Sequence, residues 1–286
     1  MTYETPEAFR TALEDRLKTR SREGGPGLDR LRRRVLFERI VARLQSAEPG
    51  LWVINGGMAL EVRLRDDARL TKDLDLGLRA DVHEGADLGD RLIEALSVDS
   101  DGDRFVLSVG SVKRLMEDDD GRATWRAQIA ATLAGRVFGG IQVDISPRAH
   151  ELDATDLLSL PNSLEFAGIA TPVVEVVDLQ RHIAEKFHGM LKVFEDRDNS
   201  RVRDLVDLVI LSEHGLVDMS AAATAVQAVW SERDSTPPSV LPPLPTSWPD
   251  RYERLADEHG LHAATFPDAV AVVATLWSEM FPTKET

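Results

Sequence analysis

The chain has 286 residues, a formal net charge of −15 and no cysteine, which excludes disulfides, thiolate metal sites and a cysteine nucleophile. Hydrophobic content of 43% with 29% charged residues is that of a globular chain able to bury a substantial core and to divide into two domains. No run is long and apolar enough to span a membrane and residues 1–10 carry no signal-peptide pattern, so a cytoplasmic setting is expected.

In chain order, residues 5–20 read as a helix that Gly24-Gly25-Pro26-Gly27 breaks. A second helix is expected over 29–46, where Arg30, Arg32, Arg33 and Arg34 lead into Leu36, Phe37, Ile40, Val41 and Leu44. Two readings of these arginines stand: a solvated helix face or a phosphate-contacting patch. An apolar strand from 51 then runs into Gly56-Gly57, followed by a short helix, Met58 to Leu64. Glycine lets backbone approach phosphate, and the free amides of a helix N-terminus favour an anion. Thr71 and Lys72 come next; Lys72 could meet a phosphate. In the strand that follows, Leu74, Leu76 and Leu78 share one face while Asp73 and Asp75 share the other. Adjacent ionised carboxylates repel unless one protonates or a cation lies between them, and hard oxygen ligands with substrate phosphates suit Mg²⁺. Glycine turn and carboxylate pair together are the elements of a nucleoside triphosphate site.

Further on, a charged helix is expected near 84–96. The acidic loop Asp99 to Asp103 reads as a solvated turn, since it lacks the twelve-residue calcium-loop pattern. Strands are expected at 104–113, 124–133 and 137–146, with a hairpin tip at 117–121 and a second turn at Ala134-Gly135. Asp144 lies on the polar face of the last strand, among Ile141, Val143 and Ile145 of the other face. Beside the first strand it would complete a three-carboxylate cluster able to hold two metal ions.

Beyond about residue 165 the pattern turns helical. Leu179, Ile183, Phe187, Met190, Leu191 and Phe194 form a helical stripe with Lys186 at its edge. An edge lysine can bury its stem and aim its ammonium into a cleft, or pair with a surface acid. Asp204-Leu205-Val206-Asp207-Leu208-Val209-Ile210-Leu211 is a helix apolar nearly all round, so its carboxylates require partners, for which Lys186, Arg201 and Arg203 are candidates. Six prolines within 236–249 mark a connector before helices near 250–259 and 266–280.

These motifs, Gly-Gly-Met-Ala-Leu-Glu-Val-Arg (56–63), Arg-Leu-Thr-Lys-Asp-Leu-Asp-Leu (69–76), Val-Asp-Ile-Ser (143–146), Ile-Ala-Glu-Lys-Phe-His (183–188) and Arg-Asp-Leu-Val-Asp-Leu (203–208), occur in one order over about 150 residues. In them the chain resembles the AbiEii/AbiGii family of nucleotidyltransferase toxins, which includes the MenT toxins and belongs to the DNA-polymerase-β-like nucleotidyltransferase superfamily. The resemblance implies an α/β (α+β) fold, with a mixed-sheet nucleotidyltransferase core over 1–165 and a mainly helical domain over 166–286. It implies Asp73, Asp75 and Asp144 as metal ligands and catalytic residues, with Lys186 on the triphosphate and Asp207 positioning Lys186 or the nucleotide. Gly56, Gly57 and Lys72 complete the nucleotide contacts. The superfamily's usual Gly-Ser is Gly56-Gly57 here, so no serine hydroxyl contacts phosphate at that point.

The implied activity is Mg²⁺-dependent transfer of a nucleotide, from CTP or another pyrimidine triphosphate, to the 3′ end of tRNA, which would block translation. A cognate antitoxin is the implied partner, and a kinase acting near Thr71 is one form it could take. Two alternatives remain open: nucleotidylation of a protein or small molecule such as an antibiotic, and a catalytically weak nucleotide-binding module. Charge bears on this choice. Residues 1–79 hold 16 Lys/Arg against 13 Asp/Glu, and residues 80–286 hold 18 against 36. The basic excess thus lies near the glycine turn, while the acidic remainder either deters non-specific nucleic-acid binding or meets a basic partner.

Overall fold

The computed structural model describes residues 3–69, 71–99, 101–117, 123–147, 154–194 and 198–282. Two compact units divide the chain, residues 1–177 and 178–286. None of the helices among the described residues is long and apolar enough to cross a membrane.

The first unit is built around one mixed sheet. Helix α1 (Pro6–Arg22) begins at Thr5, whose side chain accepts from the Ala8 amide, with proline in its first turn. Helix α2 (Leu28–Ala47) is buried along most of its length. Strand β1 (Trp52–Asn55), helix α3 (Gly56–Leu64) and strand β2 (Asp73–Leu78) follow, then helix α4 (Gly85–Ser97), whose Leu88, Leu92, Ala95 and Leu96 form its buried stripe. Strands β3 (Phe105–Glu117), β4 (Ala123–Leu133) and β5 (Arg136–Pro147) form an antiparallel meander, with β6 (Thr155–Ser159) and β7 (Val173–Val177) beyond it. The order across the sheet is β3-β4-β5-β2-β1-β7-β6. Pairing is parallel between β2 and β5 and between β1 and β7, and antiparallel elsewhere.

Alternation sets which face is buried. Ile54, Leu76, Ile145 and Trp125 are register partners across four strands, and all are buried. Leu74, Leu76 and Leu78 are at most 1% exposed; each such side chain contributes about 1.5–3 kcal/mol through burial. The polar partners of these residues fall on the opposite face, where Arg126, Asp144, Asp73 and Asp75 are only partly covered.

Three features differ from expectation. Strand β6 is not among the expected elements, strand β7 lies where the pattern reads as turning helical, and the pairing of β7 with β1 carries the first unit to Val177 rather than 165. The acidic loop is not a solvated turn: Asp103 is 1% exposed and accepts from Arg43 at 2.5 Å, while Asp101 accepts from Arg39 at 3.2 Å. Arg39 and Arg43 are buried cations of α2 and need those carboxylates. The expected hairpin tip at 118–121, Ser100 of the acidic loop and Leu70 of the 69–76 motif lie outside the described residues.

The second unit is helical: α5 (Leu179–Leu191), α6 (Val202–Glu213), α7 (Met219–Ser231), α8 (Pro249–His259) and α9 (Phe266–Met280). Asp178 caps α5 by accepting from the Arg181 amide at 2.8 Å. Helix α6 is buried from Asp204 to Leu211, as its all-round apolarity requires. Phe187, Trp230 and Phe281 all pack against Trp277, with ring centroids 5.1–5.8 Å apart. Five of the prolines of 236–249 run between α7 and α8, and the sixth, Pro249, opens α8.

Candidate active site

A polar row crosses five strands at one level of the sheet. Asn55 on β1 pairs with Asp75 on β2, Asp75 with Asp144 on β5, Asp144 with Arg126 on β4, and Arg126 with Lys113 on β3. Neighbouring strands lie about 4.8 Å apart, so each residue stands beside the next. Asp73, two residues before Asp75, shares its face and pairs with Gln142. The three carboxylates named from the sequence are therefore neighbours on one unit of structure.

The glycine turn closes directly on this row. Gly56 opens α3 with φ +58°, and a Cβ there would stand 2.0 Å from Asp75 Oδ2. Any side chain at 56 would thus collide with the carboxylate, while the left-handed backbone itself favours glycine. At Gly57 a Cβ would meet Thr71 Oγ1 at 2.8 Å and Arg69 Nη2 at 3.3 Å. Arg69 places a guanidinium at the turn, a contact the sequence reading missed because the residue lies outside any periodic segment. Lys72 is exposed and lies one residue out of step with Asp73 and Asp75.

Thr71 is 6% exposed, packs against Gly57 and donates to the Asp73 carbonyl at 3.1 Å. The loop that carries it is held by the arginines of α2. Arg30 donates to the Ala68 carbonyl at 2.9 Å, Arg33 to the Thr71 carbonyl at 3.2 Å and Arg34 to the Arg65 carbonyl at 2.8 Å. Arg34 also pairs with Glu61 and Asp66, and Arg32 with Glu14 at 2.6 Å. Arg34 and Glu61 are both buried, and removing one would strand the other. The arginine cluster is thus neither a solvated face nor an open phosphate patch; it anchors the approach to the carboxylate strand. Glu61 and Arg63 of the glycine motif act likewise, Arg63 holding Asp156 and the Val177 carbonyl.

Arg126 is the second residue the sequence reading missed. Its Nε and Nη2 donate to Asp144 Oδ1 and Oδ2 at 2.8 and 2.7 Å. Those bonds raise its pKa further above the ordinary arginine value, with Asp73 and Asp75 adding to the effect through charge. The clamp occupies both oxygens of Asp144. Among the described residues no three acidic or histidine side chains stand ready as a metal-ligand group. The donor set nonetheless fits a divalent cation with a triphosphate. Asp73 and Asp75 are hard oxygen ligands on one face. Asn55 Oδ1 is a buried acceptor without a hydrogen-bond partner among the described residues, and the missing Cβ of Gly56 leaves room against Asp75.

The second unit holds the other pair. Lys186 on α5 is 4% exposed and donates to Asp207 Oδ2 at 2.7 Å and Asp204 Oδ1 at 3.5 Å. Asp204 is also held by Arg201. A Cβ on Gly189 would stand 2.5 Å from Arg201 Nε, so this glycine admits the guanidinium against α5. Asn199 caps the end of α5, its Nδ2 donating to the Gly189, Met190 and Lys192 carbonyls at 2.8–3.0 Å.

Comparison with known proteins places this geometry. A family model described as "Nucleotidyl transferase AbiEii toxin, Type IV TA system" matches residues 39–276. Among solved structures the chain is similar to MenT4, a nucleotidyltransferase toxin from Mycobacterium tuberculosis H37Rv, with a TM-score of 0.51 and 18% identity over 90% of this chain and 86% of that one. This likeness shows the fold. A protein from H. pylori described as a candidate nucleotidyltransferase matches at a TM-score of 0.43 and 14% identity, over 86% of this chain and 92% of that one, and adds no argument. No curated protein matches by sequence. The family match takes in the glycine turn, all three carboxylates, Lys186 and Asp207, and the chain belongs to the AbiEii family of nucleotidyltransferase toxins of type IV toxin–antitoxin systems.

Proposed function

We propose that this nucleotidyltransferase adds a pyrimidine nucleotide, CMP first among them, to the 3′ end of tRNA and so blocks translation. The observation that carries nucleotidyl transfer is the register of Asn55, Asp75 and Asp144 beside the Gly56 turn. The tRNA acceptor and the pyrimidine donor rest on the resemblance to MenT-type toxins.

Asp73 and Asp75 would hold Mg²⁺, with Asp144 completing a second position. When bound, the metal offsets the charge of the triphosphate and polarises the α-phosphate. Gly56 and Gly57 present backbone to the phosphates, with Lys72 near the entrance to the strand. By family resemblance Lys186 contacts the triphosphate and Asp207 fixes its ammonium; the 2.7 Å bond between them supports a defined orientation for that side chain. The acceptor hydroxyl oxygen attacks the α-phosphorus, the bond to the β-phosphate bridging oxygen breaks, and pyrophosphate leaves. Asp144 is the base nearest the carboxylate pair for the hydroxyl proton. A cognate antitoxin is the expected partner, as the family's type IV assignment implies. A kinase reaching Thr71 would first have to lift it off Gly57, since the hydroxyl is buried there.

The test is direct. The purified chain is incubated with Mg²⁺ and each labelled nucleoside triphosphate, with total RNA or cell extract as acceptor. Label from CTP in tRNA is expected. The net charge of −15 favours a second reading, transfer to a protein or small-molecule hydroxyl; label found there and absent from RNA would replace the tRNA assignment.

A further inference from the structure

The polar row has a direction. Gly56 closes against Asp75 on one flank of the carboxylates, and Arg126 and Lys113 stand on the other, next to Asp144. The donor nucleotide needs the glycine flank, so the acceptor is left the basic one. Arg126 is suited to it. Its planar fork fits a phosphate as well as a carboxylate. With its side chain 37% exposed, against 17% for Asp144, it can exchange one partner for another at the surface of the sheet. Lys113, its register partner, is exposed beside it.

The same guanidinium stands in the way of a cation at Asp144. Two hydrogen bonds engage both carboxylate oxygens, and a fixed positive charge beside them opposes a second one. We propose that Arg126, with Lys113 beside it, is the subsite for a phosphate of the acceptor, and that a phosphate taking Arg126 frees Asp144 to join Asp73 and Asp75. This rests on the reading of Asp73 and Asp75 as metal ligands. It specifies the acceptor chemically: a polynucleotide end, with a phosphodiester close to the reacting hydroxyl, in preference to a protein or small-molecule hydroxyl with no anion beside it. It also sets an order, because the second metal position is completed only once the acceptor has arrived.

The test counts Mn²⁺ bound to the full chain, by the loss of free-ion paramagnetic signal, in the presence of a triphosphate analogue whose α–β bridge cannot be cleaved. The wild-type chain should hold about one ion, rising to about two when a short oligoribonucleotide with a free 3′-hydroxyl is added; adenosine, which has the hydroxyl and no phosphate, should not raise it. Arg126→Gln should hold about two ions without any oligoribonucleotide. It should also bind the oligoribonucleotide about tenfold more weakly, with a salt slope smaller by about 1. Arg126→Lys should keep most of that affinity and salt slope while losing the two-point clamp, which separates loss of the subsite from a damaged fold. An unchanged ion count and salt slope in Arg126→Gln would overturn the proposal while leaving the carboxylate pair intact. No bound Mn²⁺ above that of the free analogue in the wild type, or a count left unchanged by Asp73→Asn, would instead overturn the metal reading on which it rests.

Discussion

The two units hold charge in opposite ways. In the first, Asp73, Asp75, Asp144 and Arg126 stand on a partly covered sheet face. In the second, Lys186 and Asp207 are buried between helices, Asp207 wholly and Lys186 to all but 4%. An open pair is screened and can change partners; a buried pair cannot be broken without leaving a charge in low dielectric. On the proposed reading this difference would divide the labour: side chains that exchange partners during the reaction would be those on the sheet, and side chains that hold one orientation those between helices.

Substitutions can break this contrast. Asp73→Asn combined with Asp75→Asn should leave the unfolding transition near that of the wild type and lower transfer by at least about 10³-fold, measured by label incorporation. Retained activity would remove the carboxylates from the chemistry. In the second unit the same kind of change should act on stability. Asp207→Ala strands the Lys186 ammonium and should cost about 3–5 kcal/mol in denaturant unfolding. The double change Lys186→Met with Asp207→Leu should recover most of that loss without recovering activity.

Glu38 asks whether burial, rather than the choice of unit, makes a charge unyielding. It is fully buried on α2 and accepts from the Ser163 amide at 2.9 Å and the Ser163 hydroxyl at 2.8 Å. Burial pushes its carboxyl up to about 7. Below pH 4.5 the group is protonated both folded and unfolded; from 4.5 to about 7 only the unfolded chain ionises, so stability falls as pH rises through that window. The loss is up to about 3 kcal/mol, and Glu38→Gln, which stays neutral, should flatten the melting temperature between pH 5 and about 7. The smallest stability effect is expected at Gly56→Ala. The left-handed backbone costs a residue with a Cβ about 1–2 kcal/mol, but displacement of the Asp75 carboxylate should weaken Mn²⁺ binding well beyond what the melting temperature shows.

The placement of the candidate carboxylates was legible because alternation is a strong constraint. Asp73, Asp75 and Asp144 each sit on the polar side of a segment whose other side is apolar, and one core can bury only that other side. What alternation leaves open is register. Arg126 lies in a strand read for Trp125, Ala127 and Ile129, and nothing local says that it faces Asp144. Strand β7 was hidden for a different reason. Val173-Val174-Glu175-Val176-Val177 is a nearly continuous apolar run, as a parallel-paired strand tends to be, and it abuts a helical stripe of similar composition. The acidic loop was read as solvated because charge runs usually are, yet the buried arginines Arg39 and Arg43 on α2 had already fixed its partners.

Gly57 and Thr71 together form a lock with two wards. The turn carries no hydroxyl of its own, and the nearest one is Thr71 Oγ1 in the loop before β2, 2.8 Å from where a Cβ at 57 would be. Gly57→Ser alone would drive one side chain into the other, and Thr71→Gly alone would leave a void under the turn. Made together, they would move the hydroxyl from loop to turn at nearly constant volume. The two positions are coupled by volume, and an attempt to place a serine on this turn has to change both at once.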